Sequence, residues 1–313
     1  MSTSSDFQGA HRADISRKET TDGAALPLIR ESKSARIVPR ARRPARAARI
    51  TAVIPAMNEA ENLPHVLARL PANIHELILV DGHSADDTVA VARRLRPDVR
   101  VLTQTHQGKG NALACGFAMA TGDIIVMLDA DGSTDPGEIP LFISALLDGA
   151  DFAKGSRYIP GGASEDLTRV RRMGNRFLTG TVNVLFGVDH TDLCYGYMAF
   201  WRRCLPQLTL DCTGFEVETL LVLRAVRAAL NVVEVPSLER SRLSGAGNLR
   251  PVRDGLRIMR TILRERLRRD RTALYAPVWA ALTGGLAEIT TDGGSVSARA
   301  RLTRPTSDTA RRD

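Results

Sequence analysis

With 313 residues and 43% hydrophobic content, the chain can bury a sizeable core as one large or two small domains. Its net charge of +8 gathers in two places: residues 1–48 carry ten Arg/Lys against five Asp/Glu, and residues 250–271 carry nine against three, leaving the remainder net acidic. That distribution argues for a docking surface and excludes a basic nucleic-acid groove running through the core.

Residues 1–48 mix Ser, Arg, Ala and Pro without helical or strand periodicity and are expected to be a disordered basic tail. Met1 to Asp22 lacks the apolar segment of a secretory leader. Arg49 to Ile54 is then an apolar run closed by Pro55, and Ala60 to Leu70 has helical spacing. Leu77 to Val80 is a second run, closed by Asp81-Gly82, after which a helix is expected from Ser84, its hydroxyl capping the amides of Asp86 or Asp87. Val99 to Thr103 and Ile124 to Leu128 read as strands separated by the helical segment Asn111 to Ala120. Asp135-Pro136 supplies a cap and a first-turn proline ahead of a helix from Glu138 to Leu147.

Strands alternating with helices of this length imply βαβ units and a mostly parallel α/β sheet, in which ligands bind beyond the carboxyl ends of the strands. Pro55, Asp81 and Asp129 all stand at such ends. Asp129-Ala130-Asp131 closes its strand with two carboxylates, hard oxygen donors suited to Mg²⁺ or Mn²⁺, with substrate phosphates completing the shell. The same pair could instead cap a turn, and the convergence of strand ends favours the metal. The four cysteines show neither a CxxC pair nor zinc spacing with histidine, and are expected to be free thiols in a reducing cytosol.

Four motifs occur in order: Ile54-Pro55-Ala56-Met57-Asn58-Glu59-Ala60-Glu61-Asn62-Leu63, Val80-Asp81-Gly82-His83-Ser84-Ala85-Asp86-Asp87-Thr88, Gly108-Lys109-Gly110, and Asp129-Ala130-Asp131. Together with Gly155-Ser156-Arg157-Tyr158, Thr191-Asp192-Leu193-Cys194-Tyr195-Gly196-Tyr197 and Glu234-Val235-Pro236 to Arg242, they resemble family 2 glycosyltransferases, most closely the dolichol-phosphate and polyprenyl-phosphate sugar synthases. The resemblance implies the GT-A fold over residues 49–249, a mixed, mostly parallel sheet flanked by helices. It also implies metal-dependent, inverting transfer of one hexose from a nucleotide diphosphate sugar to a polyprenyl phosphate.

By that resemblance Pro55, Glu59 and Asp81 line the base and ribose pocket, and Lys109, between two glycines that permit close backbone approach, reaches a phosphate. Asp129 and Asp131 hold the metal, and Arg157 adds a cation near the diphosphate or the acceptor. Arg171, Arg172 and Arg242 bind an acceptor phosphate. The residues alone leave other roles open: turn capping for Asp81, a solvated helix start for Glu59 and for Arg171-Arg172, a turn at Lys109, and a surface ion pair for Arg157. Glu216 is either a helix-start carboxylate or the general base that a hydroxyl acceptor needs, which keeps a soluble hydroxyl acceptor as the alternative.

The chain departs from the family pattern where Gly82-His83 replaces Asp-Gly, which removes a nucleotide contact, and where Gly245-Ala246-Gly247-Asn248-Leu249 lacks the usual lysine. No glycine-rich loop precedes the first helix, against a sugar-nucleotide pyrophosphorylase, and the processive-synthase signature Gln-x-x-Arg-Trp is missing.

In residues 250–271, Arg253, Arg257, Arg260, Arg264, Arg268 and Arg271 form one helical stripe and Val252, Leu256, Met259, Leu263 and Leu267 another. Such a helix can lie on an anionic membrane, pack on the catalytic domain, or do both. The remaining residues, 272–313, are expected to be mostly disordered. Within them Ala273 to Leu286 is too short for a membrane span, which needs roughly 20 apolar residues. A cytoplasmic protein, peripheral at the inner face of the membrane, is expected.

Overall fold

The computed structural model describes residues 30–31, 48–245, 247 and 249–268. The expectations for most of residues 1–48 and for 272–313, and the position of Arg271, lie outside the described residues. Within the first of these segments, β1 (Arg30–Glu31) adds a short strand to the sheet edge, where no regular structure was expected.

The chain continues through β2 (Ile50–Ala56), α1 (Leu63–Ala68), β3 (Glu76–Asp81), α2 (Thr88–Leu95), β4 (Arg100–Thr103), α3 (Lys109–Met119) and β5 (Ile124–Met127). Then come α4 (Ile139–Leu147), β6 (Phe152–Ser156), β7 (Ala163–Ser164), α5 (Arg169–Phe186), β8 (Met198–Trp201), α6 (Val217–Arg227), β9 (Val232–Pro236), β10 (Leu238–Glu239) and α7 (Pro251–Leu267). Eight strands form one sheet in the order β1-β9-β6-β8-β5-β2-β3-β4, and β7 and β10 form a separate parallel pair. Parallel pairing joins β5, β2, β3 and β4, and joins β6 to β9; β8 lies antiparallel between β5 and β6, and β1 antiparallel on β9. The α/β, mostly parallel sheet expected from the sequence is therefore present.

The apolar runs are continuous rather than alternating because both faces of the sheet are covered. Val53, Ile78, Val80, Ile125 and Met127 point to one core with Leu113, Phe117 and Leu220, while Ala52, Ile54, Leu77, Leu79 and Val126 point to the other with Leu63 and Phe142. Phe200 of β8 anchors the first core, edge-on to Phe117 at 5.2 Å and stacked on Phe152 at 5.5 Å between ring centres. On the opposite face Phe142 stacks on Tyr197 at 4.3 Å.

One local expectation needs correction and another is met. The helix after β3 starts at Thr88, because Ser84 is used elsewhere: its hydroxyl accepts from the amide of Asn58 at 3.0 Å. Asp86 receives the Thr88 amide at 3.0 Å and the Ala60 amide at 3.0 Å, so the loops after β2 and β3 are tied together. Asn58 takes a left-handed backbone (φ 58°) in this junction, and its carboxamide oxygen accepts from the Ala85 amide at 2.8 Å. Asp135 does cap the turn before α4, accepting from the Gly137 amide at 2.9 Å, with Pro136 in its first turn.

Helix α7 is packed on the catalytic domain, one of its expected placements, but through residues outside the apolar stripe read from the sequence. It packs on α5 and α6 through Ile258 and Ile262, flanked by Asp254, Thr261 and Glu265, all buried. The stripe Val252, Leu256, Leu263 and Leu267 faces away from the protein. Polar residues serve the packed face because partners meet them: Glu265 accepts from Arg224 at 3.3 Å, and Asp254 accepts from the Arg250 amide at 2.7 Å. Among the described residues no helix is long and apolar enough to cross a membrane.

Candidate active site

A cleft of about 1210 Å³ opens at the carboxyl ends of β2, β3 and β5, bounded by the segments 213–218 and 239–245 and by the start of α7. Pro55 and Glu59 enter it from the end of β2, Gly82 and His83 from β3, and Asp129 and Asp131 from β5. The strand-end convergence read from the sequence is thus a spatial one.

Lys109 lies at the start of α3. Its Nζ is 2.6 Å from Asp129 Oδ1 and 2.7 Å from Glu218 Oε1, beside the Phe215 ring. Burial works to lower its pKa, but the two carboxylates outweigh burial and keep the ammonium protonated. Burial in turn raises the Glu218 carboxyl, with Lys109 opposing. The flanking glycines make room for protein. A Cβ on Gly108 would stand 2.1 Å from the Thr213 carbonyl oxygen and one on Gly110 2.5 Å from that of Cys212, so here the close approach is by residues 212–213. Gly196 is also close, since a Cβ there would stand 3.0–3.3 Å from the side-chain ends of Glu218, Lys109 and Asp129 and would press on that ion-pair cluster.

Asp131 accepts from the Ser133 amide at 3.0 Å and from Arg242 Nη1 at 3.2 Å. Arg242 also donates to Glu59 Oε1 at 2.7 Å and through Nε to the Ser244 carbonyl at 2.6 Å. Burial raises the Glu59 carboxyl despite hydrogen bonds from Asn62 and Arg242. Residues 240–244 are strapped across the Asp131 loop by Arg240 N to Ser133 O at 2.8 Å and Leu243 N to Asp131 O at 3.3 Å. Each carboxylate of the Asp129/Asp131 pair therefore already faces a cation, one from α3 and one from the strap.

The donor set fits a hard divalent cation. Both carboxylates border the cleft, and such oxygen donors suit an ion that takes further ligands from substrate phosphates.

The other expected site residues lie as follows. Asp81 is buried and accepts from the Ser84 amide at 3.3 Å with both oxygens, the turn-capping geometry, and it does not line the cleft. Arg157 is neither a surface ion pair nor a cleft residue. It is buried, bidentate to Asp192 at 2.7 and 2.9 Å, and paired with Glu239 at 2.9 Å. Its reach into the site is indirect, through Glu239, which does line the cleft. Arg171 lines the cleft, paired with Asp166 at 2.8 Å, whereas its neighbour Arg172 is exposed outside it.

Glu216 precedes α6, accepting from the Gly214 amide at 3.2 Å, and is not among the cleft-lining residues. The acid that does enter from this segment is Glu218. Residues two apart at a helix start point about 200° apart, so only one of the pair could face the cleft, and the spacing does not say which. Arg253 and Arg257, read from the sequence as part of a surface stripe, also line the cleft. The helical period placed them on one stripe but could not show that the start of this stripe borders the cleft.

With this geometry in hand, comparison with known proteins is informative. The profile described as glycosyl transferase family 2 matches residues 51–208. The polyprenol monophosphomannose synthase of Mycolicibacterium smegmatis is 36% identical over 60% of this chain and 76% of its own length. The undecaprenyl-phosphate mannosyltransferase of Micrococcus luteus is 33% identical over 63% of this chain and 88% of its own length. Among solved structures, glucosyl-3-phosphoglycerate synthase from Mycobacterium tuberculosis with Mn²⁺, uridine diphosphate and glucosyl-3-phosphoglycerate superposes with a TM-score of 0.58 at 23% identity, covering 81% of this chain and 87% of that one. At that identity the likeness speaks to the fold, the nucleotide-sugar GT-A fold.

Proposed function

The chain belongs to glycosyl transferase family 2, and from that membership we propose that it transfers one hexose from a nucleoside diphosphate sugar to a polyprenyl phosphate, with inversion, at the cytoplasmic face of the membrane. The observation that carries this reading is the pairing within the cleft: of its six carboxylates, Asp129 and Glu218 face Lys109, Asp131 and Glu59 face Arg242, Asp166 faces Arg171 and Glu239 faces the buried Arg157, while Arg253 and Arg257 border it as well. A site whose carboxylates are all held by cations suits two anionic substrates better than a hydroxyl that must lose a proton. The mannosyl relatives support a polyprenyl phosphate acceptor, and the uridine diphosphate and Mn²⁺ of the structural neighbour support the donor and the metal.

In this reading Asp129 and Asp131 hold Mg²⁺ or Mn²⁺, which when bound neutralises charge on the departing diphosphate. Pro55, Glu59 and the turn capped by Asp81 border the nucleoside, and Arg157 positions Glu239. An acceptor phosphate oxygen, oriented by Arg171 and Arg242 at the cleft and by Arg172 at its margin, forms the new bond to the anomeric carbon. The bond to the donor phosphate breaks on the opposite face, and no proton need be removed. Lys109 and Arg242 are partnered by the metal-site carboxylates until substrates arrive, so their charge is held in place rather than recruited from solvent.

The second reading keeps the donor and changes the acceptor to a hydroxyl. It is favoured by the raised carboxyl of Glu218 inside the cleft, a property of general bases. The two readings separate by substitution. With a phosphate acceptor, Glu216→Gln and Glu218→Gln should each leave kcat within about tenfold of wild type, whereas loss of a general base costs roughly 10²–10⁴. Under the hydroxyl reading, one of them should fall by more than a hundredfold and lose the acidic limb of its pH–rate profile.

A further inference from the structure

The cleft divides by charge. Lys109 with Asp129 and Arg242 with Asp131 mark the end that suits the metal and the diphosphate, whereas the loops after β2, β3 and β4 border it with Ala56, Met57, Gly82, His83, Gln104 and Gln107. None of these six carries a carboxylate. The strand-end acid on this side, Asp81, caps the Ser84 amide and stays out of the cleft, and Glu59, which does line it, is held by Arg242 at 2.7 Å and Asn62 at 2.6 Å.

Gln104 is the residue here that the fold does not account for. Only 5% exposed, it donates its backbone N–H to the Asp81 carbonyl at 3.1 Å, which fixes it beside the end of β3. Its carboxamide hydrogen-bonds no described residue and keeps access to solvent, which for so buried a side chain means access to the cleft that it lines. A buried amide left without a protein partner calls for one from elsewhere. The surroundings are shaped for a flat group: a Cβ on Gly82 would stand 2.9 Å from Met57 Cβ and 3.2 Å from the Ala56 carbonyl oxygen, so the loops after β2 and β3 close on each other there. His83 is held in a left-handed backbone (φ 63°), and it and Met57 border the cleft with an imidazole and a thioether, on which a ring can stack.

A carboxamide offers an acceptor oxygen and an amino group side by side, so it pairs with the edge of a base through two hydrogen bonds. Bases differ in how many N–H bonds that edge carries. Uracil has one, between two carbonyls, whereas cytosine and adenine have an amine with two and guanine has three. Among the described residues Gln104 Oε1 is the one buried side-chain acceptor lining this end, and an orphaned N–H is tolerated less well than a carbonyl short of a partner. Uracil is therefore the base whose donors this end satisfies in full.

We propose that Gln104 reads the nucleobase of the donor and selects uracil, its Oε1 accepting from N3–H and its Nε2 donating to a flanking carbonyl, with Met57 and His83 against the ring. The proposal rests on the nucleoside diphosphate sugar reading and narrows it to a uridine diphosphate sugar.

The test is calorimetric titration of the full chain, in the presence of Mn²⁺, with UDP, CDP, GDP and UDP methylated at N3, so that binding rather than turnover is read. Wild type should bind UDP roughly tenfold to a hundredfold more tightly than GDP or the methylated nucleotide, and more tightly than CDP. In Gln104→Leu the affinity for UDP should fall to that for the methylated nucleotide, which wild type and variant should bind alike. Gln104→Glu should shift the preference toward GDP, because a carboxylate accepts from guanine N1–H and its amine together and repels the uracil carbonyls. Both variants should keep the wild-type thermal midpoint and affinity for inorganic pyrophosphate. The methylated nucleotide needs no variant: wild type that binds it as tightly as UDP overturns the proposal. So does a preference for CDP or GDP, or UDP affinity that Gln104→Leu leaves intact. Binding of every nucleoside diphosphate without preference removes the uracil assignment alone, whereas binding of none removes the donor reading as well.

Discussion

Asp131→Asn should reduce turnover by about 10²–10³ while leaving the unfolding midpoint unchanged, the scale seen when one preorganised electrostatic group is removed from a reacting centre. The substitution is nearly isosteric, and the carboxamide oxygen still accepts from the Ser133 amide. Arg242, which spans Asp131 and Glu59, keeps its pair with Glu59 at 2.7 Å and its bond to Ser244, so the strap over the loop has no reason to detach. What disappears is one of the two hard anionic donors facing the cleft. Steady-state turnover with Mn²⁺, together with a thermal melt, checks this. Near wild-type turnover with limiting metal would remove Asp131 from the metal site and return Asp129-Ala130-Asp131 to a capped turn.

Arg157→Met should destabilise the fold by about 3–5 kcal/mol, because it strands Asp192 and Glu239 in the interior without their common partner. In the wild type, burial pushes the Asp192 carboxyl up, but the charges of Lys154 and Arg157 and the hydrogen bonds from Arg157 outweigh it and hold the pKa below the ordinary value. A depressed folded pKa contributes stability above the unfolded-state value, and that contribution is lost as pH falls through the folded one. Removing Arg157 takes away much of that opposition to burial. The stability gap between variant and wild type should then narrow as pH is lowered from neutrality toward the carboxylate range. Denaturant melts across that window measure it. A deficit below about 1 kcal/mol, flat with pH, would put the cluster on the scale of a surface ion pair and reopen a direct role for Arg157 at the diphosphate.

These two residues also show where the sequence was legible. The position of Asp131 could be read because it lies in the turn just beyond β5 of a parallel sheet, and strand ends converge in such folds whatever the loops do. The continuous apolar runs of β2, β3 and β5 likewise announced strands buried on both faces. Arg157 could be matched to a motif, but its partners Asp192 and Glu239 are far away in sequence, so nothing local distinguished a buried structural cation from a ligand for phosphate.

The same holds for Lys109, whose position was legible while its pairing with Asp129 and Glu218 was not. In α7 the difficulty was of another kind. Periodicity finds apolar lines on a helix, yet Ile258 with Ile262 and Leu256 with Leu263 are both such lines, and only the surroundings decide which meets protein. The choice went to the line flanked by buried Asp254 and Glu265 because partners for those acids are supplied from Arg250 and Arg224.

Purified full-length protein, Mn²⁺, a panel of nucleotide sugars and a short polyprenyl phosphate, with the product identified by mass and by its phosphorus resonance, address the central claim directly. The expected product is a single hexose joined to the polyprenyl phosphate through a phosphodiester, with release of a nucleoside diphosphate. Hexose transferred only to hydroxyl acceptors, with the polyprenyl phosphate returned unmodified across the donor panel, would contradict it.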